Sequence, residues 1–201
     1  MQSCRILLDE IRIPNDKGIE IAQSIRDGTA RLVSDGSFFP EYKSGSSAFV
    51  LTAGRSKKNK FVGMNWSPGT KEEQNSYRSE LAGIDGGLSM IAVILKFYDI
   101  TEGCIEIALD GDSALNSAKV SREFLNIFQS SYDLLQDIRN RLTAMPEGIE
   151  IKWRWVESHQ DDKGYKVLDW WAKTNIKVDK IAKDFCRKCI KNKRIHKPVQ
   201  L

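Results

Sequence analysis

Four acidic residues stand where the surrounding sequence is otherwise apolar or strand-like. Asp35 interrupts LVSDGSF, Glu80 begins the apolar run in SYRSELAGI, Asp110 ends CIEIALD, and Asp179 lies in NIKVDKIAKDF. Taking a carboxylate out of water is expensive unless a positive partner meets it. Four such groups on separate elements make chemical sense if they converge on a cation. Oxygen ligands suit hard ions, so Mg²⁺ or Mn²⁺ is the natural guest. Two such ions about 3.5–4 Å apart can activate a water and stabilise the leaving oxygen in phosphodiester cleavage. The plainer alternative is that each acid is an isolated helix cap or ion-pair partner, and that is the preferred reading for Asp9 and Asp112.

The elements that must carry these acids follow from pattern. Residues 1–28 read as a lead-in, with Pro14, Asn15 and Gly18 before a short helical stretch, IEIAQSIRDG, closed by Asp27-Gly28. TARLVSDGSF, SSAFVLTA and KFVGMNWS are strand-like, joined by connections carrying Gly45 and the basic turn RSKKNK, and short separations favour antiparallel pairing. From Ser76 to Tyr98 the apolar residues Leu81, Ile84, Leu88, Ile91 and Leu95 fall at helical spacing, with Asn75 or Ser76 as cap. Gly83, Gly86 and Gly87 each cost that helix roughly 1 kcal/mol relative to Ala, which implies a close approach to a sheet. CIEIALD reads as a buried strand and GDSALNSA as a short helix. REFLNIFQSSYDLLQDIRNRL reads as a longer helix ending before Pro146, IEIKWRWVES as a strand, and Asp169 to Cys189 as a final helix. The order βββαβααβα implies an α/β chain with a mixed sheet and helices on its faces. One domain, residues 29–190, then precedes a basic tail, 191–201.

Bulk properties are permissive. The 201 residues suffice for one domain, and the 41% hydrophobic and 29% charged fractions are those of ordinary globular proteins. A net charge of +4 fits a nucleic-acid partner without demanding one. Cys4, Cys104, Cys186 and Cys189 are too irregular for a disulfide framework. Cys186, Cys189 and His196 suggest at most half a zinc site, since no second CxxC supplies the remaining ligands. No apolar run reaches the ~18 residues of a membrane span, and MQSCRILLDEIRIP lacks a signal peptide's apolar stretch. The expectation is a soluble protein of a reducing compartment, nucleus or cytoplasm, with no membrane partner.

In order, SDGSF with GSSAFVL, YRSELAGI, LDGDSAL, WVESHQDD and DWWAKTNIKVDKIAK resemble the type 1 ribonuclease H domain. The likeness is to the divergent form found in retroelement (reverse transcriptase) polyproteins, and it covers approximately residues 31–188. The resemblance implies a five-stranded mixed sheet, a ribonuclease H-like fold, and hydrolysis of the RNA strand of an RNA–DNA hybrid with two Mg²⁺ ions, or Mn²⁺ as substitute. Asp35, Glu80, Asp110 and Asp179 match the family's four metal-holding acids; Asp110 is preferred to Asp112 because it ends the strand. His159 in SHQDD matches the histidine of a mobile loop that assists proton transfer or product release. Other domains of a polyprotein are further partners the resemblance implies.

Departures bear on substrate grip. The family's basic helical protrusion is replaced by REFLNIFQSSYDLLQDIRNRL, which is nearly charge-balanced. Phosphate contacts would then fall to RSKKNK or to the tail cations Lys188, Lys191, Lys193 and Arg194, unless these form only a solvated basic surface. Gly36 and Ser37 can offer a backbone group and a hydroxyl to the 2′-OH that marks RNA. Trp153, Trp155, Trp170 and Trp171 could stack on bases, but their place on a core strand and the final helix predicts packing. Among rivals, a proofreading exonuclease would carry an acid where Ser37 stands, and an integrase would end with a helical Glu rather than Asp179. The rival of another class is a non-catalytic nucleic-acid-binding or tether module, which loss of one acid would favour; all four are present.

Overall fold

β-branched and aromatic residues concentrate between residues 30 and 66, and there the chain doubles back on itself twice. The computed structural model describes residues 8–54, 58–120, 125–158, 160–163 and 167–196. In chain order the elements are β1 (Glu10–Arg12), α1 (Ile19–Arg26), β2 (Ala30–Phe39), β3 (Ser44–Ala53), β4 (Lys60–Trp66), α2 (Ser76–Phe97), β5 (Glu102–Leu109), α3 (Asp112–Lys119), α4 (Tyr132–Thr143), β6 (Gly148–Trp155) and α5 (Trp170–Lys191). The strands form one mixed sheet in the order β1-β4-β3-β2-β5-β6. β1, β4, β3 and β2 are antiparallel neighbours, whereas β5 and β6 run parallel to β2.

Both faces of the sheet are covered, so its central strands read as continuous apolar runs. Leu32, Leu51, Ile105 and Ile107 point toward α1–α4, where they meet Ile21, Leu81, Ile84, Leu88 and Ile138. Val33, Val50 and Ala108 point the other way, under Val178, Ala182 and Phe185 of α5. Asp35 shares the parity of Val33 and so belongs to the α5 face. α5 is pinned there by the Ser46 hydroxyl, which donates to the Ala182 carbonyl at 2.8 Å, and by Arg31, whose guanidinium lies 4.8 Å from the Trp171 ring centre. Helix α4 is tied to α2 by two ion pairs, the half-buried Arg78–Asp133 and the buried Arg141–Asp85, the latter with Nε 2.6 Å from Oδ1.

Four expectations change. The sheet has six strands rather than five, because Glu10–Arg12 pairs with β4 from Glu10 opposite Met64 to Arg12 opposite Val62. Ile21, Ala22 and Ile25 of α1 are buried in the core, so Pro14 and Gly18 only separate a short strand from a short helix. The long helix ending before Pro146 is confined to α4. Ahead of it the Asn126 side chain accepts from the Phe128 amide at 2.9 Å, and Ser131 sits at φ 59°, so local side-chain bonding wins over helix propagation. Residues 121–124 lie outside the described residues. The β2–β3 connection is a 3-10 turn at Pro40–Tyr42, and Gly45 lies inside β3.

The last turn of α5 and the segment after it are docked against the far edge of the sheet. Lys188 pairs with Glu10 and Arg194 with Asp9. His196 stacks on Trp66 with ring centres 4.1 Å apart; its Nδ1 lies 2.9 Å from the Ser67 carbonyl, and its Nε2 accepts from the Gly45 amide at 3.3 Å. Burial pushes its pKa down to about 4, which keeps the ring neutral and suits that donor–acceptor pair.

The glycines of α2 do bring helix and sheet together: a Cβ on Gly87 would come within 2.6 Å of Leu32 Cδ1. On the strand side, a Cβ on Gly36 would lie 2.5 Å from the Ser79 carbonyl carbon, which is backbone and cannot rotate away. Gly36→Ala should therefore push α2 off β2 and lower stability by about 1–3 kcal/mol, the usual scale for overpacking. A denaturant midpoint equal to that of the parent would show that the helix is not held at contact distance.

Candidate metal centre

β5 lies beside β2 in parallel register, with Val33 opposite Ala108 as the last pair. Continuing that register by two residues sets Asp35 level with Asp110, where β5 ends. Glu80 arrives from the other face, in the first turns of α2, at the point where Gly36 lets the helix touch the strand. Asn75 starts that helix by accepting from the Arg78 amide at 2.8 Å, which fixes where Glu80 emerges. One carboxylate oxygen each from Asp35, Glu80 and Asp110 can be chosen so that all lie within 4.8 Å of one another. Gly111 leaves room for this: a Cβ there would come 3.0 Å from Glu80 Cγ.

This grouping is electrostatically costly by itself. Asp35 is 3% exposed. Burial, and then the charges of Asp110 and Asp179, hold its pKa well above the usual carboxylate range. Glu80 is raised likewise, by burial first and then by Asp35 and Asp110; the Gly36 backbone amide opposes the shift on both acids. Glu80 Oε2 is buried without a hydrogen-bond partner. An orphaned carboxylate oxygen within a set of mutually repelling acids fits a cation, and this buried trio could bind a metal ion.

Asp179 stands one step away. It is half-buried on α5, and Lys183, one turn further on, reaches its Oδ2 at 2.7 Å. It lines a cavity of about 210 Å³ with Asp110, Asp161, Asp162, Asn175, Ile176 and Lys183. Its charge still reaches Asp35. The four acids expected to converge thus divide into a trio and an adjacent member held by a lysine.

Asn175 is the residue that sequence reading missed. It is 3% exposed, its Nδ2 donates to Asp110 Oδ2 at 3.1 Å, and its buried Oδ1 has no partner. The signal was its spacing: four residues before Asp179, it shares that residue's helix face within an otherwise apolar stripe. Trp155 adds a second tether, its indole N–H donating to the Asp110 backbone carbonyl at 3.0 Å.

His159 lies outside the described residues, as do residues 55–57 of the basic turn. Gly36 is at the centre, where its lack of a side chain allows the Asp35–Glu80 approach, and Ser37 is buried in β2 opposite Ser46. Of the tail cations, Lys188 and Arg194 are engaged by Glu10 and Asp9 at the far edge of the sheet, while Lys191 and Lys193 are exposed. Cys186 donates to the Ser44 carbonyl and Cys189 accepts from Arg194. Neither models of known protein families nor curated proteins give a match to this chain.

The raised acids set a pH dependence. A carboxyl whose folded pKa exceeds its unfolded value, about 4, binds more protons when folded, so its contribution to stability falls as pH rises through that window. Without metal, Asp35→Asn should match the parent near pH 4 and become more stable than it toward pH 7–8, read from melting temperatures in chelator. A mutant that is less stable at neutral pH would mean that Asp35 is an ordinary ion-pair partner.

Proposed function

We propose that this chain is a ribonuclease H-like endonuclease that hydrolyses the RNA strand of RNA–DNA hybrids with divalent metal. The observation that carries this reading is the trio Asp35, Glu80 and Asp110, gathered from the middle of β2, the end of the parallel neighbour β5 and the first turns of α2. The ordered motifs from SDGSF to NIKVDKIAK support it. So does the sheet: β2 to β6 form a mixed five-stranded set compatible with that fold, with β1 as an addition at the edge.

Asp35, Glu80 and Asp110 would hold Mg²⁺, or Mn²⁺ in its place, and Asp179 would join them for a second ion. Bound there, the ions supply an activated water and charge stabilisation for the leaving oxygen. The chain's own residues prepare the site. Asn175 would orient Asp110 by holding one of its carboxylate oxygens. Lys183 balances Asp179 until another cation takes its place. His159, four residues past Trp155, would move a proton or speed product release.

The test is cleavage of a hybrid duplex by the full chain with Mg²⁺ or Mn²⁺, beside duplex DNA and duplex RNA. We expect endonucleolytic cuts in the RNA of the hybrid alone, lost with chelator and in Asp110→Asn. His159→Ala should be slower by about 10²–10⁴-fold, the scale for acid–base groups, and Asn175→Ala by about 10–100-fold, as for groups that orient metal ligands. Equal cutting of duplex DNA, or activity in excess chelator, would reject the assignment; hybrid binding without cleavage would favour a non-catalytic tether module.

A further inference from the structure

Lys177 and Lys188 lie on one flank of α5, about three helical turns apart, and what they meet differs. Lys188 pairs with Glu10 on β1. Lys177 meets another lysine. Lys60 opens β4 on the sheet face of Val62, Met64 and Trp66, which packs under α5. Burial, and then the adjoining Lys177, push the Lys60 ammonium below its ordinary range. Arg12 stands opposite Val62 in the β1–β4 pairing, so it shares that face, exposed and diagonal to Lys60. On α5, Lys173, Lys177 and Lys180 are exposed at successive turns of the outward side. Among the described residues none of these five cations forms an ion pair. Asp179 does not serve Lys177, because residues two apart on a helix do not face each other, and Lys183 already meets it.

We propose that this cationic surface, Arg12 and Lys60 on the sheet with Lys173, Lys177 and Lys180 on α5, grips the sugar–phosphate backbone of nucleic acid. A like-charge contact opposes folding, and an anion laid across it removes that cost. Cations repeated along a helix suit a linear polyanion better than one small anion. Acidic lipid is the other extended anionic surface, but a helix that lies in a membrane inserts large apolar side chains. None of those exposed among the described residues lies on α5 or β4. Contacts of this kind go to phosphate, so they leave base pairing undisturbed and read no sequence. They supply grip that the charge-balanced α4 region and the acid-paired Lys188 and Arg194 do not. The proposal rests on the nuclease reading for its partner, and its test therefore measures binding apart from cleavage.

The experiment uses the full chain in chelator, where binding is read without metal. Affinity for a dye-labelled RNA–DNA hybrid of about one duplex turn is followed by anisotropy between about 50 and 200 mM salt. A variant carrying Lys60→Gln and Lys177→Gln is compared with the parent. The control carries Lys191→Gln and Lys193→Gln, which remove the same charge from exposed tail positions. The Lys60/Lys177 variant should flatten the slope of log affinity against log salt by about 2, since each phosphate contact contributes about 0.9. Near 0.1 M salt it should bind about 10- to 60-fold more weakly. Its melting temperature should equal or exceed the parent's, because a like-charge contact is gone, and the control should bind within a few-fold of the parent. Should that variant not fold, Lys173→Gln with Lys180→Gln, both at exposed positions, applies the same test. An unchanged slope would overturn the proposal, and so would equal losses in variant and control, which would leave net charge as the cause. Capture by phosphatidylserine vesicles without hybrid binding would overturn it in favour of a membrane. An unchanged slope in a protein that cuts the hybrid with Mg²⁺ would remove this surface alone. A flattened slope in a protein that never cuts would keep the surface and remove the nuclease reading.

Discussion

Mutual repulsion among Asp35, Glu80 and Asp110 is the constraint around which the rest is arranged. Two full charges 4.8 Å apart repel by roughly 3.5 kcal/mol at an effective dielectric of 20. Three such pairs would oppose folding by an amount comparable with the 5–15 kcal/mol that stabilises a typical domain. That cost shows on Asp35 and Glu80, whose carboxyls burial and neighbouring charge hold well above the usual range. Holding them together takes rigid support: a parallel β2–β5 register, an α2 that touches β2 at Gly36, and an α5 pinned to β3 through Ser46.

That support explains features with no chemistry of their own. The Arg141–Asp85 pair has almost no access to water, and breaking such a pair is costly because the survivor is left charged and alone. It fixes α4 against α2, as Arg78–Asp133 does nearer the helix start. Glu80 emerges one turn beyond the capped end of the same helix, so these ties also limit how far its carboxylate can retreat from its neighbours. Lys183 acts on the opposite flank, where its ammonium offsets Asp179 beside three further acids of the same cavity, Asp110, Asp161 and Asp162.

Much of the site was legible because an acid on an apolar element is conspicuous. Asp35, Glu80 and Asp110 each broke a pattern, and the glycines of α2 signalled contact with the sheet. Asn175 escaped because a neutral amide breaks a helical stripe less visibly than a charge does. The division between Asp179 and the trio depends on a lysine one turn away, and helical spacing alone does not say whether such a pair forms. β1 was hidden by its length, since three residues give no periodicity, and its pairing is fixed by β4 and by the tail cations that meet Asp9 and Glu10. The long helix ending before Pro146 failed where the Asn126 and Gln129 side chains bond neighbouring backbone amides and Ser131 takes a left-handed conformation.

The most direct measurement of the central claim is calorimetric titration of Mn²⁺ and Mg²⁺ into chelator-treated protein, in two buffers of different ionisation enthalpy. If the trio is a cation site, binding is saturable and the heat depends on buffer, because carboxyls that hold protons must release them to take the ion. Glu80→Gln should weaken the binding and reduce the buffer dependence. Non-saturable heats, or binding unchanged by Glu80→Gln, would mean that the three acids share a place in the fold without sharing an ion.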